Sequence, residues 1–162
     1  MPWYLSPGPV WIYHRFLERG NTLAAGNQGI WSLDSSADAD PRLFVDFDAS
    51  VKYRAFHGNG VSNAQSSIGG SVPTIGNAVE LLALLFSDGS VQLRQSTNGA
   101  ADVVAGQSGA LAFAVAWSSP TLWMNGRGNA TRIGWSATSR LLVGTGAGTL
   151  VQVINDARTI PA

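Results

Sequence analysis

Five side chains able to carry charge or move a proton crowd the stretch FVDFDASVKYRAFHGNGV, Phe44 to Val61: Asp46, Asp48, Lys52, Arg54 and His57. A D-x-D pair beside a histidine could hold a metal ion or serve acid–base chemistry. The same residues could instead form the polar face of a hairpin. On a strand, Phe44 and Asp46 share one face, and Val45 and Phe47 the other. Asp48 opens Asp-Ala-Ser, a tight turn in which the carboxylate accepts a hydrogen bond from the backbone two residues on. Beyond the turn, Lys52, Arg54 and Phe56 alternate with Val51, Tyr53, Ala55 and His57. Pairing across the turn sets Asp46 or Asp48 opposite Lys52 or Arg54, a stabilising arrangement on a wet face. The hairpin accounts for most of these polar residues without any chemistry, and no metal site is expected. Asp46 and Asp48 are the calcium candidates, with Asp34, Asp38 and Asp40 as distant further carboxylates. DSSADAD, however, lacks the spacing and the glycine of a D-x-D-x-D-G loop.

An inventory tests for catalysis. Glycoside hydrolysis needs two carboxyl groups at a set separation. The only glutamates are Glu18 and Glu80. Glu18, in LERGN beside Arg19, reads as a surface ion pair at a strand end. Glu80 lies among apolar neighbours and reads as semi-buried. There is no G-x-S-x-G elbow. His14 and His57 are the two imidazoles, and neither has a partner at metal-ligand spacing. Both read as packed strand residues. With no Cys, thiol nucleophiles, disulfides and Cys-based zinc or iron–sulfur sites are excluded. The expectation is a chain that is not an enzyme and needs no cofactor.

Six Trp and three Tyr offer another chemistry. Exposed aromatic faces stack on sugar rings, although most large aromatics serve packing or subunit contacts. Trp117 is expected in the core. Trp123 and Trp135, near Gly/Asn-rich loops, are the candidate ligand-binding residues, together with Asn125. Trp3 and Tyr4, before a Pro-Gly-Pro turn, are the candidate partner contacts.

The elements that would carry these residues read as short strands. The 162 residues suit one domain, and 45% are apolar, only 12% charged and 19 are Gly. That is unlike a helical protein rich in Glu, Lys and Leu. Ten basic and ten acidic side chains cancel, so no field draws nucleic acid or an anionic membrane. No apolar run reaches membrane-spanning length. The first twenty residues do not read as a signal peptide, for want of a basic start and because prolines break them. Synthesis in the cytosol fits best.

ALAFAVAW, Ala110 to Trp117, alternates large and small residues and reads as a strand, followed by a Ser-Ser-Pro turn and the short strand of TLWMNG. Other candidates are Val10–Leu17, Gln28–Leu33, Arg42–Phe47, Val51–His57, Ser90–Gln95, Thr131–Trp135, Arg140–Thr145 and Thr149–Asn155. NAVELLALLF, Asn77 to Phe86, fits a helix or a strand buried on both faces. The Ser-Asp-Gly that follows it makes a hairpin onto SVQLRQS, which favours the strand. Residues Ser62–Pro73 read as a long loop or a weak edge strand, and HGNG at His57–Gly60 as a turn. Proline bars Met1–Pro9 from a central strand. Residues 1–9 are therefore expected to be an arm, and 10–162 a single all-β antiparallel two-sheet sandwich.

The order of VDFDASVKYRAFHGNG, PTIGNAVELLALLFSDGSVQLRQSTNGA and ALAFAVAWSSPTLWMNG resembles the jelly-roll domains of the concanavalin A-like/laminin G-like superfamily. It is most similar to stand-alone versions encoded by tailed bacteriophages and prophages. The resemblance spans about Val10 to Asp156. It implies two packed antiparallel sheets and a place on a virion made in the host cytoplasm. The implied partners are capsid or tail proteins and further copies of the chain. The expected function is that of a non-enzymatic virion structural or decoration protein. The alternative is a carbohydrate-binding adhesion module that attaches the particle to host or surface glycans, and the minor alternative a glycan hydrolase.

Overall fold

The computed structural model describes residues 10–18, 28–34, 41–47, 52–59, 61–65, 74–101, 103–112, 121–124 and 136–145. These residues form β1 (Val10–Glu18), β2 (Gln28–Asp34), β3 (Pro41–Phe47), β4 (Tyr53–Asn59), β5 (Asn63–Gln65), β6 (Ala78–Leu85), β7 (Val91–Thr97), β8 (Val103–Gln107), β9 (Thr121–Met124) and β10 (Ser136–Thr145). The strands lie in two five-stranded antiparallel sheets. One runs β10-β1-β6-β7-β8 and the other β5-β4-β3-β2-β9. The all-β two-sheet sandwich expected from the sequence is what the chain forms. Among the described residues no helix is long and apolar enough to cross a membrane.

Turn chemistry sets the hairpins. Between β7 and β8, Asn98 and Gly99 both take positive φ, 53° and 76°, as a two-residue turn that follows the sheet twist demands. Between β6 and β7, the Gly89 amide donates to the Phe86 carbonyl and the Phe86 amide to Ser90, with Gly89 at φ 76°. An added Cβ on Gly89 would overlap the carbonyl oxygen of Leu111, so glycine is required twice over at this position.

The core lies between the sheets. Val10, Ile12 and Phe16 of β1 point into it, as do Val79, Leu81, Ala83 and Leu85 of β6 and Val91 and Leu93 of β7. The other sheet supplies Ile30, Trp31 and Leu33, Leu43 and Val45, and Tyr53 and Ala55. Ile30 and Trp31 are adjacent yet both buried, because the β2 register shifts against β3 between Gly29 and Trp31. A second cluster, Tyr13, Leu82 and Leu84 with Trp11, Phe86 and Leu142 packed beside it, occupies the opposite face of the first sheet. Strand β6 is therefore buried on both faces, which explains why NAVELLALLF shows no strand alternation.

Several expectations need correction. Glu18 is not a surface ion pair. It alternates inward with Ile12, His14 and Phe16 and is 0% exposed. His57–Asn59 belongs to β4 rather than to a turn, and the chain reverses after Asn59, whose amide donates to Ser62. Ala110–Ala112 is not in a strand, and the rest of ALAFAVAW lies outside the described residues. Strand β8 was not among the sequence candidates. Its five residues VVAGQ carry no strict alternation, and Gly106 weakens the strand signal. The Asn63–Gln65 strand pairs only β4 within its sheet and is the edge strand that the Ser62–Pro73 reading allowed.

Candidate functional site

The Phe44–Val61 window folds as the β3–β4 hairpin, with Asp46 directly opposite Arg54. Arg54 grips Asp46 with two hydrogen bonds, Nε to Oδ1 at 3.2 Å and Nη2 to Oδ2 at 2.9 Å. Its guanidinium carbon also sits 4.2 Å from the centroid of the Phe56 ring. Both carboxylate oxygens of Asp46 are thereby engaged by a neighbouring cation. The cross-strand pair expected from the sequence is present, but its face is not wet, since Asp46 is 2% and Arg54 8% exposed. A buried, bidentate pair is far more constrained than a surface one. Asp48, the other calcium candidate, lies outside the described residues. Among the described residues no three His, Asp or Glu side chains converge as metal ligands would.

His57 takes the other face of β4. Its Nδ1 is 2.7 Å from the carbonyl oxygen of Gly89, in the turn between β6 and β7. A carbonyl only accepts, so Nδ1 carries the proton. Burial pushes the imidazole below its usual range, and the Gly89 hydrogen bond partly opposes that. Two residues on, Asn59 donates from Nδ2 to the Ala112 carbonyl at 2.8 Å, while its Oδ1 accepts from the amides of Val61 and Ser62. The Leu111 amide donates to Asp88. Sidechains from β4 thus fasten one end of the sandwich to the loops of the other sheet. Asp88 itself is exposed, and hydrogen bonds from the Ser90 hydroxyl and amide hold its carboxyl below the ordinary range.

At the opposite end, Tyr53 of β4 donates to Glu18 Oε2 at 2.7 Å. Burial, then the Glu18 charge and the hydrogen bond, push the Tyr53 hydroxyl far above its usual range. Phe16 meets Tyr53 edge-on at 6.0 Å, and His14 lies 4.6 Å from Phe16. Burial holds His14 down to about 4, so it is a neutral core residue near neutral pH. Glu80 alternates with Val79 and Leu81 and faces away from the core, whereas Glu18 faces into it. The two glutamates thus sit on opposite faces of one sheet and do not flank a common cleft.

Of the aromatic candidates, Trp123 is on β9, where its backbone pairs with Ser32. Ser32 pairs in turn with Phe44, Phe44 with Phe56 and Phe56 with Gln65, so a single register row crosses all five strands. Directly paired residues share a sheet face. Sequence reasoning missed this row, because nothing local to TLWM indicates which strand lies beside it. Ser32 Oγ is fully buried and makes no hydrogen bond to the described residues. Asn125, Trp135, Trp3 and Tyr4 lie outside the described residues.

No protein-family profile matches the chain, and no curated protein does. Solved structures do. The CBM40 of the Ruminococcus gnavus IT-sialidase, bound to alpha2,3 sialyllactose, superimposes with a TM-score of 0.61 at 10% identity, over 93% of this chain and 82% of that one. The fold is a two-sheet jelly roll. Tailspike protein 2 of Escherichia coli O157:H7 bacteriophage CAB120 is similar at a TM-score of 0.58 and 13% identity, over 96% of this chain. Only 22% of the tailspike is matched, so the likeness is to one part of a larger protein. A leech intramolecular trans-sialidase gives 0.51 at 14% identity, with 24% of that chain matched.

Proposed function

We propose that this chain is a carbohydrate-binding module. The observation that carries this reading is the superposition on CBM40, which takes in 93% of this chain and 82% of that one rather than a shared sheet. The inventory of acid–base residues agrees with it. Glu18 is consumed by an inter-sheet hydrogen bond, and Glu80 is on the far face of that sheet. The ligand-binding residues we assign are Trp123, with Asn125 and Trp135 beyond it. A tryptophan ring offers an apolar face on which a sugar can stack, and an asparagine offers an amide for hydrogen bonds to sugar hydroxyls.

The tailspike likeness favours a second reading that is compatible with the first. On that reading the module belongs to a phage particle as a capsid or tail component. Trp3 and Tyr4 on the N-terminal arm then contact a virion protein or a sibling subunit.

Glycan-array binding by the purified chain tests the first reading. Saturable binding to one class of glycan supports it, and a folded chain that binds nothing on a broad array refutes it. Quantitative mass spectrometry of purified particles tests the second. A fixed stoichiometry with a capsid or tail protein supports it, and absence from the particle refutes it.

A further inference from the structure

We propose that His57 is an acid-sensitive latch, which holds the Phe86–Ser90 turn and the 108–112 segment against the end of β4 and releases them on protonation. The geometry is specific to this end of the sandwich. His57 reaches from β4, in one sheet, to the Gly89 carbonyl in a turn of the other sheet. Gly89 is itself pressed against the Leu111 backbone, with no room for a Cβ. Leu111 donates to Asp88, and the next residue, Ala112, accepts from Asn59. These six residues form one circuit, and of them His57 is the one whose ordinary pKa lies between neutral and mildly acid pH.

The surroundings of the ring give protonation its consequence. Nδ1 already carries a proton, so an added proton must go to Nε2, and it would place a charge inside a fully buried ring. Among the described residues, the charges on the elements packed on β4 lie on other faces or in solvent. On β3 the register partner of His57 is Leu43, and on β5 it is Ala64. Asp46 is on the other face of β3, where Arg54 neutralises it. Arg94 of β7 is a cation and alternates away from the inward Leu93, while β8 carries no titratable side chain. Asp88, beside Gly89, is exposed and held by Ser90, so its charge is solvated. Desolvation lowers the folded imidazole below its ordinary 6.5. Opening the latch lets the ring take the proton, so acid favours the open end.

Amide hydrogen exchange on the whole chain reads this directly, after correction for the intrinsic pH dependence of exchange. The reporters are the Gly89 and Leu111 amides. The Gly76 and Ala100 amides, hydrogen-bonded to Glu18 and Thr97 at turns that His57 does not touch, are the references. From pH 7.5 to pH 5, reporter protection should fall about ten-fold relative to the references. His57→Gln keeps a donor but does not titrate, and should abolish that difference. Equal loss at reporters and references, or an unchanged differential in His57→Gln, overturns the proposal. If His57→Gln does not fold, the wild-type comparison decides alone: selective loss supports the latch, uniform loss refutes it.

Discussion

Tyr53 and Glu18 join the two sheets through one buried hydrogen bond of 2.7 Å, from the β4 hydroxyl to the β1 carboxylate. Both residues are 0% exposed. Hydrogen bonds to a charged group contribute about 1.5–3 kcal/mol, and leaving a buried partner short of a donor removes that contribution. Tyr53→Phe should therefore lower stability by about 2 kcal/mol in urea unfolding. A loss below about 0.5 kcal/mol, the size of an ordinary surface change, would show that the bond is not structural.

Arg54 holds both oxygens of Asp46, and the pair is buried. Removing one partner takes the bidentate counter-charge away from a buried ion. Asp46→Ala should cost on the order of 3 kcal/mol, well beyond what a solvated pair would lose. Asp46→Ala with Arg54→Met should recover part of the loss, because no lone charge then remains. Calcium should leave the melting temperature of the wild type unchanged. A calcium-dependent rise that Asp46→Ala abolishes would make this window a metal site after all.

Three positive-φ glycines separate crowding from backbone strain. Gly76 and Gly99 have open space where a Cβ would be, so Ala at either pays only the left-handed backbone term of about 1–2 kcal/mol. Gly89 faces the Leu111 carbonyl as well. Gly89→Ala should therefore cost more than about 4 kcal/mol or prevent folding. Equal melting temperatures for the three variants would mean that the turn and the 108–112 segment are not packed together.

Acid should weaken the sandwich through its buried imidazoles. Below about 6.5 the unfolded chain binds protons that the folded His14, held down to about 4, refuses. The unfolded state then gains protons relative to the folded one, so stability is full above pH 6.5 and falls as the pH drops toward 4. For His14 the loss approaches 3 kcal/mol at the acid end, roughly. Urea unfolding at pH 7.5 and 4.5 should show it, with a smaller difference in His14→Gln. An undiminished difference in that variant would assign the acid sensitivity to other groups.

The strands were legible where side chains alternate, and where turns carry Asn-Gly or Asp-Gly. VWIYHRFLE, PRLFVDF and VQLRQST appear within two residues of their expected ends. The hairpin sets Asp46 or Asp48 opposite Lys52 or Arg54, and the structure selects Asp46 with Arg54. What the sequence could not convey is burial by distant parts of the chain. Glu18 beside Arg19 looks like a surface pair until β4 brings Tyr53 across the core. His57 reads as a packed strand residue, but nothing local shows the Gly89 carbonyl that the β6–β7 turn presents to it. The Trp123 row has the same cause, since β9 joins β2 across nearly ninety intervening residues. Partners so far apart in sequence leave no local pattern.

NMR titration of the labelled chain with a panel of acidic and neutral oligosaccharides tests both the proposed carbohydrate binding and the proposed place of Trp123 in the site. Saturable shifts are expected for at least one class, centred on the Trp123 indole and its β9 neighbours, and they should be lost in Trp123→Ala with the remaining spectrum preserved. Saturable binding that leaves Trp123 unmoved would contradict the site, and a folded chain with no saturable shift across the panel would contradict the function.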